Sequence, residues 1–172
     1  MKKLFLFFML VTATISCFSQ DEPKNAVKAN PLGLIFGNAN ISYERALGNH
    51  SSIVFAPSFG FLKLNDLKYS TFGLGAEYRF YLSGSKMAPK GTYVAPGVSF
   101  QFGKVKSDVS ETNLTGFGGK AVIGRQWVFE SGFTLDLQGG IQYTSFSFEG
   151  DIGASAFKGV LPTLGLGLGY AW

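Results

Sequence analysis

The sequence has 172 residues, of which 46% are hydrophobic and only 15% charged, with 23 glycines and 18 phenylalanines. This composition argues against a disordered chain, which needs low hydrophobicity and high net charge, and against a helical one, because each interior glycine costs about 1 kcal/mol relative to alanine. The formal net charge of +4 comes without a stripe of basic residues, so the sequence predicts no nucleic-acid partner.

Residues 1–19 are predicted to be a secretory signal peptide. Two lysines precede an apolar run, Leu4 to Val11, that gives way to small residues. The run is shorter than the roughly 20 apolar residues that a spanning helix needs. Cys17, the one cysteine, is expected to leave with this segment, and its lipidation is the alternative. The mature chain, residues 20–172, would then hold no disulfide or thiolate metal site, and we expect no cofactor or metal.

From Val27 onward the dominant period is two, which is typical of strands with two different faces. Turn-like clusters divide the chain into eight alternating segments. These segments are Val27–Phe36, Ala39–Leu47, Ser52–Leu62, Ser70–Leu82, Thr92–Lys104, Leu114–Phe129, Phe133–Phe146 and Val160–Trp172. Each strand with its connection has about 19 residues, which suits membrane-crossing strands of about 9 to 11 residues. We therefore predict a single all-β domain, an eight-stranded antiparallel up-and-down transmembrane β-barrel.

The polar faces of the segments indicate what the outside of the barrel contacts. In the fourth segment, apolar residues alternate with Gly73, Gly75, Glu77, Arg79 and Tyr81. A water-facing surface would be dense in Lys and Glu, whereas small residues with scattered single charges suit a narrow interior. The apolar faces are therefore predicted to contact outer-membrane lipid, where only a closed barrel pairs all the backbone groups of its strands. The last segment is expected to close the barrel against the first.

Aromatic and arginine side chains lie near the predicted strand ends. Tyrosine and tryptophan rings favour the membrane interface, and an arginine on an apolar face can extend to lipid headgroups. The predicted interface anchors are Tyr43, Arg45, Tyr78, Arg125 and Trp127, with Tyr81, Tyr170 and Trp172 at similar positions. For the two arginines, simple turn-flanking charges are an equally good interpretation.

The segment KANPLGLIFGNANISYERAL, Lys28 to Leu47, resembles the opening of a family of small uncharacterised outer-membrane β-barrel proteins of the Bacteroidota, similar to outer-membrane protein A/X-like eight-stranded barrels. The final GLGLGYAW is similar to the signal read by the barrel-assembly machinery, here Gly167, Tyr170 and Trp172. Gly165, where a polar residue is usual, and a final Trp in place of Phe depart from that signal. The resemblance implies a bacterial outer-membrane location and the assembly machinery as a partner during biogenesis. It implies no reaction.

A periplasmic N-terminus would place successive connections on alternate sides of the membrane. Short periplasmic turns are then predicted at 48–51, 83–90 and 130–132. Longer outer loops are predicted at 63–69, 105–113 and 147–159, after a minimal first outer turn at Gly37-Asn38. Long loops on the outer side are typical of such barrels, so these three are the expected site of any surface ligand.

Five charged residues fall on predicted inward faces: Glu44, Glu77, Arg79, Lys120 and Asp136. Because unpaired buried charge is very costly, these side chains are predicted to form a lumenal ion-pair network that plugs the barrel. A gate or proton path through the same groups is the alternative.

The sequence contains no obvious catalytic constellation. The single histidine, His50, lies in a predicted turn beside Ser51 and Ser52, and no acidic residue is aligned with them. The sequence therefore predicts a monomeric, non-catalytic integral outer-membrane protein with a structural or surface-interaction role through its outer loops. A narrow channel for small solutes or ions is the first alternative, and a lipid-modifying outer-membrane enzyme is the second.

Overall fold

The computed structural model describes residues 22–35, 37–64, 67–82, 84, 87–106, 111–149 and 156–172, so the predicted signal peptide lies outside the described part. Within these ranges the fold consists of eight strands and one short helix. They are β1 (Asn25–Ala29), α1 (Pro31–Ile35), β2 (Asn38–Ala46), β3 (Ser51–Leu64), β4 (Leu67–Tyr81), β5 (Gly91–Lys106), β6 (Glu111–Val128), β7 (Phe133–Glu149) and β8 (Ala156–Ala171). No helix in the described ranges is long and apolar enough to cross a membrane.

The strands form one closed barrel in sequence order. Each strand is antiparallel to the next, and β8 pairs antiparallel with β1. The predicted all-β, eight-stranded antiparallel up-and-down barrel is therefore confirmed.

Alternation along each strand decides which side chains enter the interior. In β4, Glu77, Arg79 and Tyr81 are buried, whereas Tyr78 and Phe80 between them are 37% and 47% exposed. Successive side chains of a strand point to opposite faces, and in a closed barrel these faces are the interior and the outer surface. The interior is therefore rich in polar and small residues, and the outer surface is rich in large apolar ones.

The predicted first strand, Val27–Phe36, is wrong beyond its third residue, where the chain leaves the ladder and forms α1. Asn30 caps this helix, because its Oδ1 accepts a hydrogen bond of 3.1 Å from the backbone N–H of Gly33. Pro31 suits the first helical position, where its missing N–H costs nothing. Gly37 follows the helix with a φ of 73°, a left-handed conformation that glycine readily adopts. These local signals outweigh the apolar alternation.

The predicted outer loops are also wrong over most of their length. Strands β3 to β8 extend into all three of them. Backbone groups form the ladder, so polar side chains do not end it once the two strands of a hairpin are in register. The residues left between these strands are 65–66, 107–110 and 150–155, which lie outside the described part of the chain.

The turns between β2 and β3, β4 and β5, and β6 and β7 lie at one end of the barrel, together with the start of β1 and the end of β8. We call this the lower end and the opposite one the upper end. The turn before β5 folds beneath the lower end, where the Ala88 N–H donates a hydrogen bond of 2.8 Å to the Asn49 carbonyl. The side chain of Pro89 is fully buried there. The lower end is therefore covered by its own turn.

The barrel wall is uneven where it closes. The β5–β6 ladder covers every residue from Gly91 to Lys106, whereas β1 and β8 pair only from Ala26↔Ala171 to Ala29↔Leu168. Above that last pair, α1 packs against both β8 and β2 where the neighbouring strand would otherwise run. We call this stretch of the wall the helical seam.

Candidate functional site

The five charged residues predicted to face the lumen do face it, and they lie together in the lower half of the barrel. Four of them are buried, with exposures of 0% for Glu44, 7% for Glu77, 2% for Arg79 and 4% for Asp136. Lys120 is more open, with 24% of its side chain exposed. Residues from four different strands meet because all of them have inward positions at similar heights.

Arg79 is the centre of this network. Its Nη1 lies 2.7 Å from Asp136 Oδ2 and 3.2 Å from Glu44 Oε2, and its Nη2 lies 3.2 Å from Glu77 Oε2. Lys120 Nζ approaches the other oxygen of Glu77 at 2.6 Å. One guanidinium therefore joins three carboxylates, which its several N–H donors allow.

Lys28 is a member of the network that the sequence prediction missed. Its Nζ lies 2.6 Å from Glu44 Oε2 and 2.8 Å from Asp136 Oδ2, and it also donates to Gln126 Oε1. The sequence held a signal for this position, because Lys28 lies between the apolar residues Val27 and Ala29 and therefore on the opposite face of β1. In the structure Val27 is exposed on the outer surface, whereas Lys28 is only 2% exposed.

Neutral hydroxyl groups complete the coordination of the carboxylates. Ser52 Oγ and the Tyr81 hydroxyl each donate a hydrogen bond of 2.6 Å to Glu44 Oε1. The Tyr93 hydroxyl donates to Asp136 Oδ1 at 2.7 Å, and the Tyr93 ring lies beneath the Arg79 guanidinium, with the ring centre 4.1 Å from its central carbon. The prediction that Tyr81 lies at the membrane interface is wrong: it is 3% exposed, because its odd-numbered position in β4 faces inward.

The network is balanced in charge and in hydrogen bonds. Its cations are Lys28, Arg79 and Lys120, and its carboxylates are Glu44, Glu77 and Asp136. Within the described residues, no buried side-chain nitrogen or oxygen lacks a hydrogen-bond partner. Buried charges are tolerated when they are paired and hydrogen-bonded in this way. The lower lumen is therefore filled and electrically neutral.

Glycines on β8 and β5 leave room for the side chains of the network. A Cβ atom at Gly167 would lie 3.2 Å from Asp136 Cβ and 3.4 Å from Lys28 Cδ, so any longer side chain would enter the network. Gly97 has the same role on β5, where a Cβ would lie 3.1 Å from Lys120 Cε. The small residues of the inward face are thus matched to the long charged side chains opposite.

Above the network the interior opens into a cavity of about 220 Å³. Lys28, Glu77, Arg79, Lys120 and Asp136 form its floor. Its walls carry amide and hydroxyl groups, among them those of Asn38, Asn40, Ser58, Gln101, Gln142 and Thr163. The upper lumen is therefore polar without carrying further charge along these walls.

The predicted interface anchors all lie on the outer surface. Tyr43 and Tyr78 are 38% and 37% exposed, and Arg45 is exposed. The Arg125 guanidinium lies 5.3 Å from the centre of the Trp127 ring, within range of a cation–π interaction. Their anchoring role stays a prediction.

The residues of the predicted assembly signal lie at the closing strand. Gly167 faces the interior, and the rings of Tyr170 and Trp172 stack with their centres 6.4 Å apart. The Trp172 N–H donates to the Asn25 carbonyl at 2.9 Å, which ties the end of β8 to β1. Recognition by the assembly machinery stays a prediction.

Ser52 and His50 have different surroundings and do not contact the same groups. Ser52 uses its hydroxyl to bind Glu44, whereas His50 is exposed in the turn before β3. Among the residues that the structure describes, no group of three or more His, Cys, Asp and Glu side chains is arranged to hold a metal ion. Within the described residues, the geometry therefore identifies a charge network and a cavity.

A family model described as "Protein of unknown function (DUF3575)" matches residues 4–151. The chain belongs to this family. The match includes strands β1 to β7 and all six charged residues of the network. No curated protein and no solved structure matches the chain. The family description names no activity, and the geometry of the barrel is the basis for a functional proposal.

Proposed function

We propose that the chain is an integral outer-membrane β-barrel protein without catalytic activity. One observation carries this proposal: the barrel is polar inside and apolar outside. On the outer surface Leu164 and Ile41 are 82% and 57% exposed, whereas Lys28 and Arg79 in the interior are each 2% exposed. Soluble proteins rarely expose a large continuous apolar surface. Lipid acyl chains would cover such a surface at no cost, and the closed ladder leaves few backbone groups unpaired.

The height of the apolar surface supports the same proposal. On β4, outward apolar side chains run from Phe72 to Phe80. At about 3.3 Å per residue and a strand tilt of about 40°, this run rises about 20 Å. The apolar band of known outer-membrane barrels is about 25 Å tall. The predicted anchors, Tyr43, Tyr78 and Trp127, lie in the lower part of the outer surface, near the end that we assign to the periplasmic side.

The predicted signal peptide and the resemblance to small Bacteroidota barrels point to the same location. We infer that the barrel-assembly machinery inserts the chain and that outer-membrane lipid surrounds it as a monomer. The upper end, which would face the cell exterior, carries the segments around 63–69, 105–113 and 147–159. A surface ligand would bind there or in the cavity that opens toward that end.

The charge network favours a structural or surface-interaction role over a channel. Side chains from seven of the eight strands meet across the lower lumen, from Lys28 on β1 to Asp136 on β7, and they bind one another. An ion crossing the barrel would have to break several of these pairs. We therefore propose that the lumen is plugged.

Membrane fractionation combined with heat-modifiable gel mobility tests the location and the closed barrel together. We expect the chain in the outer-membrane fraction, with faster mobility before boiling than after. Planar-bilayer recordings should show no steady large conductance. Recovery from the periplasm as a detergent-free folded protein would overturn the proposal. Steady conductance would favour the channel, and altered lipid A in an expressing host would favour the enzyme.

A pair of variants tests the lipid contact directly. Ile141 is outward and 59% exposed within the apolar band, between Ala121 and Pro162 of the neighbouring strands, and Val160 is outward and 63% exposed near its upper edge. In a membrane, Ile141→Arg should lower the free energy of unfolding by about 2 to 4 kcal/mol and Val160→Arg by about 1 kcal/mol or less. On a water-exposed surface both changes would fall within about 0.5 kcal/mol. Equal, small effects in vesicles would contradict the membrane assignment.

A further inference from the structure

The helical seam leaves one edge of β8 without a strand beside it. The β1–β8 ladder ends at Ala29↔Leu168, yet β8 continues upward to Ala156. Within the described residues, no ladder partner lies on this side of β8 above Leu168. In a barrel surrounded by lipid, an unpaired strand edge is the place where backbone groups most need another hydrogen-bonding partner.

The backbone direction of β8 identifies the groups on this edge. The Trp172 N–H points to Asn25 of β1, whereas the Ala171 N–H points to Gly132 on the β7 side. Neighbouring residues of a strand direct their backbone groups to opposite sides, so the even-numbered residues of β8 face the seam. Leu164 and Leu166 therefore direct their backbone N–H and C=O groups toward α1.

The cavity in the upper lumen reaches this edge. Its lining includes Ala29, Asn30 and Asn38 on one side of the seam and the consecutive residues Thr163 to Gly167 on the other. From β3 to β8 the wall consists of long ladders, so the seam is the part of it that a short helix completes. A molecule in the cavity at this height would contact both sides of the seam.

The outer face of the seam is apolar. On α1, Leu32, Leu34 and Ile35 are 37%, 52% and 76% exposed, and Leu164 on β8 is 82% exposed. The cavity on the inner face carries amide and hydroxyl groups and a charged floor, together with a smaller apolar part of its lining. The seam therefore separates a polar compartment from an apolar surface over the thickness of one wall.

The size and chemistry of the cavity restrict what it can hold. A volume of about 220 Å³ is less than the roughly 300 to 1,000 Å³ of pockets for drug-sized ligands. The charged floor is already paired within itself, so it offers no net charge to an ion. A single neutral headgroup rich in hydroxyls fits, whereas a whole lipid does not.

We propose that the helical seam is a lateral portal through which the cavity binds a membrane amphiphile with one neutral, hydroxyl-rich headgroup. The headgroup occupies the cavity and hydrogen-bonds the seam-facing backbone of Leu164 and Leu166. Its alkyl chain separates α1 from β8, which contact each other without a ladder, and lies along the apolar outer face. This inference rests on the proposed membrane location.

An added strand is the competing occupant of the β8 edge. Pro162 argues against it, because its even-numbered position places the missing N–H on the seam side. A proline on an edge strand is a common device that prevents strand addition. The seam is thus better suited to a headgroup that supplies donors and acceptors at a few points than to a continuous ladder.

The test uses the purified full barrel in phosphocholine micelles, with heat-modifiable mobility as the check of folding. Native mass spectrometry should detect one octyl glucoside molecule per chain. Free glucose, which lacks the alkyl chain, and octyl phosphocholine, which lacks the hydroxyls, should be retained at least tenfold less. Glucose binding as tightly as the glucoside would indicate a soluble sugar and overturn the portal.

Two threonines provide a matched pair of variants. Thr163→Phe fills the cavity beside the seam and should reduce glucoside retention at least tenfold, whereas Thr115→Phe, on the outer surface of β6, should leave it unchanged. Asn38→Leu, which removes a polar group at similar volume, serves if Thr163→Phe does not fold. Equal retention by all variants, or a dimer joined through β8, would refute the portal. If the chain keeps its heat-modifiable mobility in these experiments, the proposed barrel function stands.

Discussion

Removing the charge of Lys28 is the sharpest perturbation of the network. Its ammonium group binds Glu44 at 2.6 Å and Asp136 at 2.8 Å, and it also donates to Gln126. Lys28→Met keeps a similar length and volume but leaves two cations facing three buried carboxylates. Breaking a buried pair by removing one partner costs about 3 to 5 kcal/mol. Because Arg79 still contacts both carboxylates, we expect the lower end of that range, about 3 kcal/mol.

Urea unfolding in lipid vesicles, followed by the fluorescence of the two tryptophans, measures this loss. At a slope of about 2 kcal/mol per molar urea, the midpoint should fall by about 1.5 M. Lys158→Met, at an exposed lysine of β8, is the control and should shift the free energy of unfolding by less than about 0.5 kcal/mol.

A double variant separates charge balance from packing. Lys28→Met combined with Glu44→Gln restores equal numbers of cations and carboxylates, so it should recover about 1 kcal/mol relative to the sum of the two single changes. If Lys28→Met is no more damaging than Lys158→Met, or if the double variant is strictly additive, the argument that paired charge holds the lower lumen together is refuted.

Two further predictions concern the groups around the network. Gly167→Val would push a side chain toward Asp136 and should cost about 1 to 3 kcal/mol of unfolding free energy in the same assay, whereas Gly119→Val, which meets no atom within 4 Å, should be neutral. Tyr93→Phe removes the 2.7 Å hydrogen bond to Asp136 and should cost about 1.5 to 3 kcal/mol, whereas Tyr143→Phe, at a ring that is 42% exposed on the outer surface, should cost less than about 0.5 kcal/mol. Equal losses within either pair would contradict the corresponding assignment.

Much of the network was predictable because a period of two assigns each residue of a strand to one face. Glu44, Glu77, Arg79, Lys120 and Asp136 could all be placed inside the barrel in this way. Distances between them could not be predicted, since they depend on the register of neighbouring strands. Pairs such as Gln126↔Asp136 are set by ladder hydrogen bonds between distant parts of the chain.

The errors arose where local geometry or the ladder outweighed composition. Asn30 and Pro31 began a helix inside a segment whose apolar residues suggested a strand. The polar segments at 63–69, 105–113 and 147–159 suggested loops, although most of their residues continue the hairpins. Composition indicates where water or lipid is expected, whereas backbone hydrogen bonds decide where a strand ends.

The sequence by itself determined the class of fold and the two faces of every strand, because side-chain alternation is a property of each strand alone. Only the tertiary structure decided how the barrel closes, since β1 and β8 are separated by most of the chain and their short ladder depends on where α1 begins. It also decided that Lys28, Arg79 and three carboxylates meet, and that a cavity reaches the seam. Contacts across a closed barrel follow from the relative register of all its strands, which no single segment specifies.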